Sequence, residues 1–272
     1  MSIFACLPVD TASSLGGYMA RRVGPRIRVS RIAIRNLRAS LPDNSEAENR
    51  RILEGMWDNI GRTVAEYPHL AAINARSAGR VQVVNGESLT ELKSAARPSV
   101  IFGAHIANWE INASTGQLLL GTSLLSVHRS ANNPLVESMI QRFRGGRHSV
   151  AKGSAGGREL IRHLRRGGSI AVLVDQKQND GIAVPFFGRD AMTAPAIARL
   201  GYAFHCPIIP VRVERLRGAR FRCTVLPPIE MARTGNPESD VLTTMTRVNA
   251  VIEDWVRAHP EQWLWIHRRW PT

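Results

Sequence analysis

Lysine is nearly missing from this chain of 272 residues: Lys93, Lys152 and Lys177 stand against 33 arginines. Acidic residues are also few, 22 in all, so the formal net charge is +14. Guanidinium groups stay charged and pair with carboxylates and phosphates in a fixed geometry. The balance points to anionic partners: phosphates, acidic lipids, nucleic acid or an acidic protein. The arginine bias is also what a GC-rich genome produces. Cysteine is sparse. Cys6, Cys206 and Cys223 are scattered and odd in number, which argues against a disulfide framework and fits a reducing, cytosol-facing location. No apolar run reaches the ~20 residues needed to cross a bilayer. No basic stretch precedes a long apolar one at the N-terminus, so a secretory signal is not expected. Met1–Ala20 is mildly apolar and broken by Pro8 and Asp10, and at most lies on a membrane surface.

Repeats, low-complexity tracts and long linkers are also missing, so the expectation is a single domain over residues 45–272 with an N-terminal basic segment, 1–44. Within that segment, residues 21–38 carry seven arginines and no acid, interleaved with Ile27, Ile32, Ile34 and Leu37. Such a segment suits anionic headgroups. It equally suits a solvated helical face packed on the domain. Nucleic acid is not expected, because no reader motif accompanies the charge. Ser45-Glu46-Ala47-Glu48 reads as a capping box opening a long helix. Beyond it strands are expected near 81–84, 100–104, 123–127, 170–174, 208–214 and 220–226. Helices are expected near 89–96, 109–120, 134–143, 157–166, 193–202 and 239–258. This alternation predicts an α/β fold with a mostly parallel or mixed central sheet flanked by helices. In such folds, sites gather where strand ends meet helix starts.

One strand end carries chemistry. After the apolar run from Ser99 comes His105-Ile-Ala-Asn-Trp-Glu110, with a helix opening at Asn108. A bend between strand and helix could let the imidazole and the carboxylate hydrogen-bond. The histidine would then be a general base whose tautomer the acid fixes. A structural histidine is the plain alternative. Zinc is not expected, because no second His or Cys stands three or four residues away. Other strand ends gather polar residues. Arg129 follows a strand and suits a phosphate or a developing oxyanion, or merely a surface position. Arg142, Arg144 and Arg147 suit an anionic headgroup or carrier protein, or an exposed basic loop. Asp175-Gln176 ends another strand, and the acid could hold an arginine or histidine, or cap a turn. Phe186-Phe187-Gly188 could line a hydrocarbon slot, or be core. The closing Trp263-Leu-Trp-Ile-His-Arg-Arg-Trp270 fits a membrane interface or an aromatic clamp on the core.

These segments together resemble the lipid A biosynthesis acyltransferases of the lauroyl/myristoyl type, relatives of the glycerolipid acyltransferases with a His-x4-Asp/Glu motif. The matching pieces stand in family order: His105 to Glu110, Arg129 with Asn133-Pro134, Arg142-Phe-Arg144, Asp175-Gln176, Val184-Pro-Phe-Phe-Gly188 with Thr193, Pro210, and Pro260 to Trp270. The resemblance implies a glycerolipid-acyltransferase-like fold. It implies transfer of a fatty acyl group from acyl carrier protein to a hydroxyl of an anionic glycolipid, the lipid A precursor, without metal or other cofactor. Carried onto this chain, His105 is the base, Glu110 its partner, Arg129 the oxyanion stabiliser and Asp175 the support of that arginine. Asn108, Arg142, Arg144, Phe186, Phe187 and Gly188 are the candidate substrate-binding residues. The implied location is the cytoplasmic face of the inner membrane. Relatives commonly begin with a membrane-spanning helix, and this chain starts where that helix would be ending, so either attachment rests on the basic and aromatic surface or the start codon is misassigned. Ser130, where many relatives have proline, and Gln178-Asn-Asp-Gly181 also depart from the pattern. Another glycolipid or aminolipid acceptor, with acyl-CoA as donor, is the alternative enzyme. A catalytically silent binder of anionic membrane or nucleic acid is the alternative of another class, and it would need none of the four candidate catalytic residues.

Overall fold

The computed structural model describes residues 2–271 apart from Arg129, Ala131, Asn132 and Arg147. Helices come first: α1 (Ser2–Ala5), α2 (Val9–Val23), α3 (Ser30–Ser40), α4 (Glu46–Glu66) and α5 (Leu70–Asn74). The capping box opens α4. The Ser45 hydroxyl accepts from the Glu48 N–H, and the Glu48 carboxylate accepts from the Ser45 N–H at 2.7 Å. Two helix-end donors that would otherwise be unpaired are thereby satisfied. Helix α2 lies against α4 at facing glycines: a Cβ on Gly16 would stand 2.5 Å from the Gly61 carbonyl oxygen, so the approach requires glycine. Helix α3 buries Ala33 and Leu37, and Asn36 Nδ2 donates to the carbonyls of Trp265 and His267, both at 2.8 Å. All seven arginines of residues 21–38 face outward.

From residue 81 strands and helices alternate: β1 (Val81–Val84), α6 (Glu87–Ser94), β2 (Ser99–Gly103), α7 (Trp109–Leu120), β3 (Leu124–His128), α8 (Pro134–Arg144), β4 (Ser149–Ala151), α9 (Ser154–Arg165) and β5 (Ser169–Leu173). Then follow β6 (Ile182–Phe186), β7 (Arg189–Thr193), α10 (Ala196–Ala203), β8 (Ile208–Arg215), β9 (Phe221–Val225) and α11 (Pro237–Ala258). Seven strands form one sheet in the order β1-β9-β8-β2-β5-β3-β4. Every neighbouring pair is parallel except β8 with β9. Strand β2 lies at the centre and is buried along its whole length, as a strand covered on both faces must be. Its register with β5 sets Gly103 opposite Leu173. Residues 105 and 175 each lie two positions beyond that pair, so the register brings them to the same sheet edge.

Two regions differ from expectation. Residues 182–193 form an antiparallel hairpin, β6 with β7, rather than a loop running into a helix at Thr193. Pro195 is the N-cap of α10, so the helix begins only at Ala196. Strand β4, of three residues at the sheet edge, is too short to leave a periodic signal. The C-terminal tryptophans resolve as a clamp on the core. Trp263 and Trp265 are 0 % exposed, and they pack with Phe186, Phe187 and Trp270. Arg269 is buried with them. It donates to the Met192 carbonyl and the Thr193 hydroxyl, its guanidinium stands over the Phe186 ring, and burial pushes its pKa down to about 10.

Candidate active site

His105 follows the end of β2, and Asp175 follows the end of β5. The His105 backbone N–H donates to Asp175 Oδ2 at 2.9 Å, and Nδ1 lies 2.8 Å from Oδ1. Trp263 Nε1 donates to Oδ2 at 2.8 Å. Asp175 is 1 % exposed. Burial opposes its ionisation, but the neighbouring His105, by charge and by hydrogen bonds, holds it well below the usual carboxylate range. An ionised carboxylate can only accept, so in its neutral form His105 carries the hydrogen on Nδ1 and offers the Nε2 lone pair. That is the tautomer a general base needs.

The turn from β2 to α7 is bent hard and clamped. Ala107 takes φ +50°, a left-handed conformation that costs a non-glycine residue roughly 1–2 kcal/mol. Its N–H donates to the Gln262 carbonyl, and its carbonyl accepts from Asn59 Nδ2 and the Thr63 hydroxyl. Asn108 is the N-cap of α7. Its Oδ1 accepts from the Glu110 N–H, and its Nδ2 donates to Glu66 Oε2 at 2.8 Å. Glu66 is fully buried and also takes Arg215 and the Ser13 hydroxyl. One carboxylate thus ties α2, β8 and the β2–α7 turn together. Asn108 is 0 % exposed and spent on this network, so its expected place against substrate is corrected to a structural one.

Glu110 is also placed differently from expectation. Among the described residues its carboxylate pairs with Arg144 and Tyr67 rather than with His105. Arg144 Nη2 donates to Oε1 at 2.7 Å, Nε to Oε2 at 3.1 Å, and the Tyr67 hydroxyl to Oε1 at 3.0 Å. Glu110 lies in the first turn of α7 with its N–H on Asn108, so its side chain leaves toward α8 instead of back to the strand end. Burial works against the charge on Arg144, but Glu110 raises its pKa. The supporting carboxylate of His105 is therefore Asp175, where Asp175 was expected to hold Arg129. Arg129 itself lies outside the described residues.

His105, Glu110, Tyr67 and Arg144 line one cavity of about 1000 Å³, at the upper end of ordinary small-molecule sites, about 300–1,000 Å³. His128, Gln176, Lys152 and Lys177 line it too, so two of the chain's three lysines face this space. Burial and nearby Arg144 hold the pKa of His128 down. Polar residues such as Asn112, Ser126 and Asp180 also line it, and the apolar part of the wall is Phe102, Ile140, Val172, Leu160, Ile197 and Leu200, from β2, α8, β5, α9 and α10. None of these six was singled out from sequence; the amphipathic spacing of helices such as α9 was the only available signal. Phe186 and Phe187 are 1 % and 6 % exposed, belong to the tryptophan cluster and are not part of this wall, so the expected hydrocarbon slot is corrected to core packing. Gly188 closes the β6–β7 turn at φ +67°, and Arg142 is exposed on α8; neither lines the cavity. Among the described residues no three His, Cys, Asp or Glu side chains gather as metal ligands.

A histidine fixed by a buried carboxylate at the carboxyl ends of parallel strands, opening on a cavity with both apolar and charged lining, forms a candidate active site. Comparison with known proteins gives the family. The model of the bacterial lipid A biosynthesis acyltransferases matches residues 1–272. Over 259 residues the chain is 25 % identical to the lipid A biosynthesis lauroyltransferase of Escherichia coli K12, covering 90 % of this chain and 80 % of the relative. The palmitoleoyltransferase of the same organism is 25 % identical over 277 residues, 98 % of this chain and 87 % of the relative. Its myristoyltransferase is 26 % identical over 264 residues, 92 % and 77 %. The chain belongs to the bacterial lipid A biosynthesis acyltransferase family, and is an acyltransferase that moves groups other than aminoacyl groups.

Proposed function

We propose that the protein transfers a fatty acyl chain from acyl carrier protein to a hydroxyl of a lipid A precursor, with His105 as the base. The observation that carries the reading is the His105–Asp175 pair, 2.8 Å apart, at the mouth of the cavity. The acceptor hydroxyl gives its proton to His105 Nε2 as its oxygen attacks the thioester carbonyl carbon. The tetrahedral intermediate collapses, the C–S bond breaks, and the thiolate leaves with the proton from His105. Asp175 stays ionised and stabilises the imidazolium. A thioester is already activated, so deprotonation and charge stabilisation suffice. Arg144 is the described guanidinium in the cavity for a developing oxyanion or a substrate phosphate, and Arg129 keeps that role from the sequence resemblance alone. The apolar wall takes the acyl chain.

We assign the protein to the cytoplasmic face of the inner membrane as a peripheral protein. No helix among the described residues is long and apolar enough to cross a membrane. Tyr18, Met19, Val23 and Ile27 are 49, 53, 61 and 42 % exposed beside Arg21, Arg22, Arg26 and Arg28. That mixture suits insertion between anionic headgroups. The test is purified enzyme with acyl carrier protein and CoA thioesters and a lipid A precursor, read by mass spectrometry. Acyl addition, abolished by His105→Ala with the melting temperature kept, is expected. No transfer to that acceptor from either thioester, or a His105→Ala protein within a few-fold of wild type, would overturn it.

A further inference from the structure

Two consecutive residues hold the two ring nitrogens of His105. Asp175 takes Nδ1, and Gln176 Nε2 lies 3.1 Å from His105 Nε2. The same amide nitrogen lies 3.3 Å from Nε2 of His267. The His267 ring stands 5.3 Å from the His105 ring, at 71° to it. The hydrogen inventory orients the amide. In neutral His105 the Nδ1 hydrogen goes to the ionised carboxylate, so its Nε2 accepts. An amide oxygen turned toward that lone pair would be repelled, whereas an –NH2 group has one N–H for each imidazole. His267 can accept because burial holds its pKa down to about 4 and keeps it neutral. It is fixed from behind by Asn36, which donates to its carbonyl at 2.8 Å.

A hydroxyl that is to lose its proton to His105 must come within about 2.6–3.2 Å of Nε2. The Gln176 amide already occupies that seat and faces the cavity. We propose that Gln176, anchored on His267, guards the base: its carboxamide stands in for the acceptor hydroxyl at His105 and denies that place to water until the acceptor displaces it. This rests on the acyl-transfer reading above. The unwanted reaction uses the same machinery. Water would give a proton to His105 Nε2, its oxygen would attack the thioester carbon, and the thiolate would leave with that proton, releasing a free fatty acid. Water offers one hydrogen bond in exchange for the amide. A lipid-linked acceptor brings remote binding interactions that can be spent on displacing it. The guard therefore discriminates by what else the hydroxyl is attached to. When displaced, the amide keeps its second N–H on His267 and returns after product leaves. Gln176 acts through His105, so it is a positioning residue.

The test uses the full chain with acyl carrier protein and CoA thioesters, measuring thiol release without acceptor and ester formation with acceptor. Gln176→Ala should raise the ratio of acceptor-independent thiol release to ester formation about tenfold, the ratio set by one ordinary hydrogen bond. Gln176→Met, which keeps the bulk but offers no N–H, should do the same. His267→Phe should release the amide and raise hydrolysis, with no further gain when combined with Gln176→Ala. Adding His105→Ala should abolish the gain. Nitrogen-15 spectra of the imidazoles need no substrate: Gln176→Ala should shift the His105 Nε2 resonance, because exchanging water replaces a fixed amide donor there. If wild type transfers but Gln176→Ala leaves that ratio unchanged, or lowers hydrolysis together with transfer, the guard is wrong. An unmoved Nε2 resonance would also overturn it. A wild type that transfers from neither thioester defeats the acyl-transfer reading instead, and leaves the spectra to judge the amide.

Discussion

Two carboxylates adjoin the same cavity and are spent in opposite ways. Asp175, at the end of β5, takes three N–H donors, two from His105 and one from Trp263. Glu110, in the first turn of α7, takes Arg144 through two nitrogens and the Tyr67 hydroxyl. Both are nearly inaccessible, 1 % and 3 % exposed. In the proposed reaction one is coupled to a group that gains and loses a proton, the other to a guanidinium that never does. The motif that draws attention in the sequence contains Glu110, yet the carboxylate bonded to His105 is Asp175. Spacing along a chain and proximity across a parallel sheet are different quantities.

The largest effect should come from breaking the Asp175 side. Asp175→Asn removes the acceptor that sets the His105 tautomer, and a loss in kcat of roughly a thousandfold or more is expected with the fold retained. Glu110→Gln should cost about ten- to hundredfold, the usual worth of a group that orients another, and chiefly in KM for an anionic substrate. Arg144→Met should match it, and the double variant should be little worse than either single one. Kinetics of the four proteins decide the comparison. If Glu110→Gln falls as far in kcat as Asp175→Asn, Glu110 supports the base and the assignment is reversed.

Much of this architecture can be read along the chain. The capping box at Ser45, the apolar run of β2, the Asn-Pro start of α8 and the alternation after residue 81 are local signals, and they give the α/β class and most elements. His105, Arg144 and Asp175 stand out as residues. Their pairing does not, because the β2–β5 register that sets Gly103 opposite Leu173 is a contact across 70 residues. Phe186 and Phe187 mislead for a related reason. A Pro/Gly-bounded aromatic pair looks the same whether it faces a ligand or three tryptophans from the other end of the chain. Asn108 reads as a site residue because it lies inside the motif, although Glu66, 42 positions earlier, claims its amide. Local patterns are legible where neighbours in sequence satisfy them, and fail where a distant partner decides.

The smallest predicted effect sharpens the comparison through pH. The Asp175 side includes a buried neutral imidazole, His267, with its pKa pushed down to about 4, whereas a free histidine titrates near about 6.5. The unfolded chain therefore takes up this proton first as pH falls. Its contribution to stability is complete above about 6.5 and is lost progressively toward pH 4. Between pH 7 and pH 5 the loss should be about 2 kcal/mol. Asp175 adds to acid lability only further down, since its own depressed pKa matters below the ~3.9 of a free aspartate. Denaturant unfolding of wild type and His267→Gln at the two pH values isolates the term, because His128, also held low, titrates in both and cancels. A wild type no more acid-sensitive than His267→Gln would mean that His267 takes its proton readily in the fold. It could then not offer a lone pair beside His105, and the contrast between a proton-handling and a permanently charged side of the cavity would lose one of its supports.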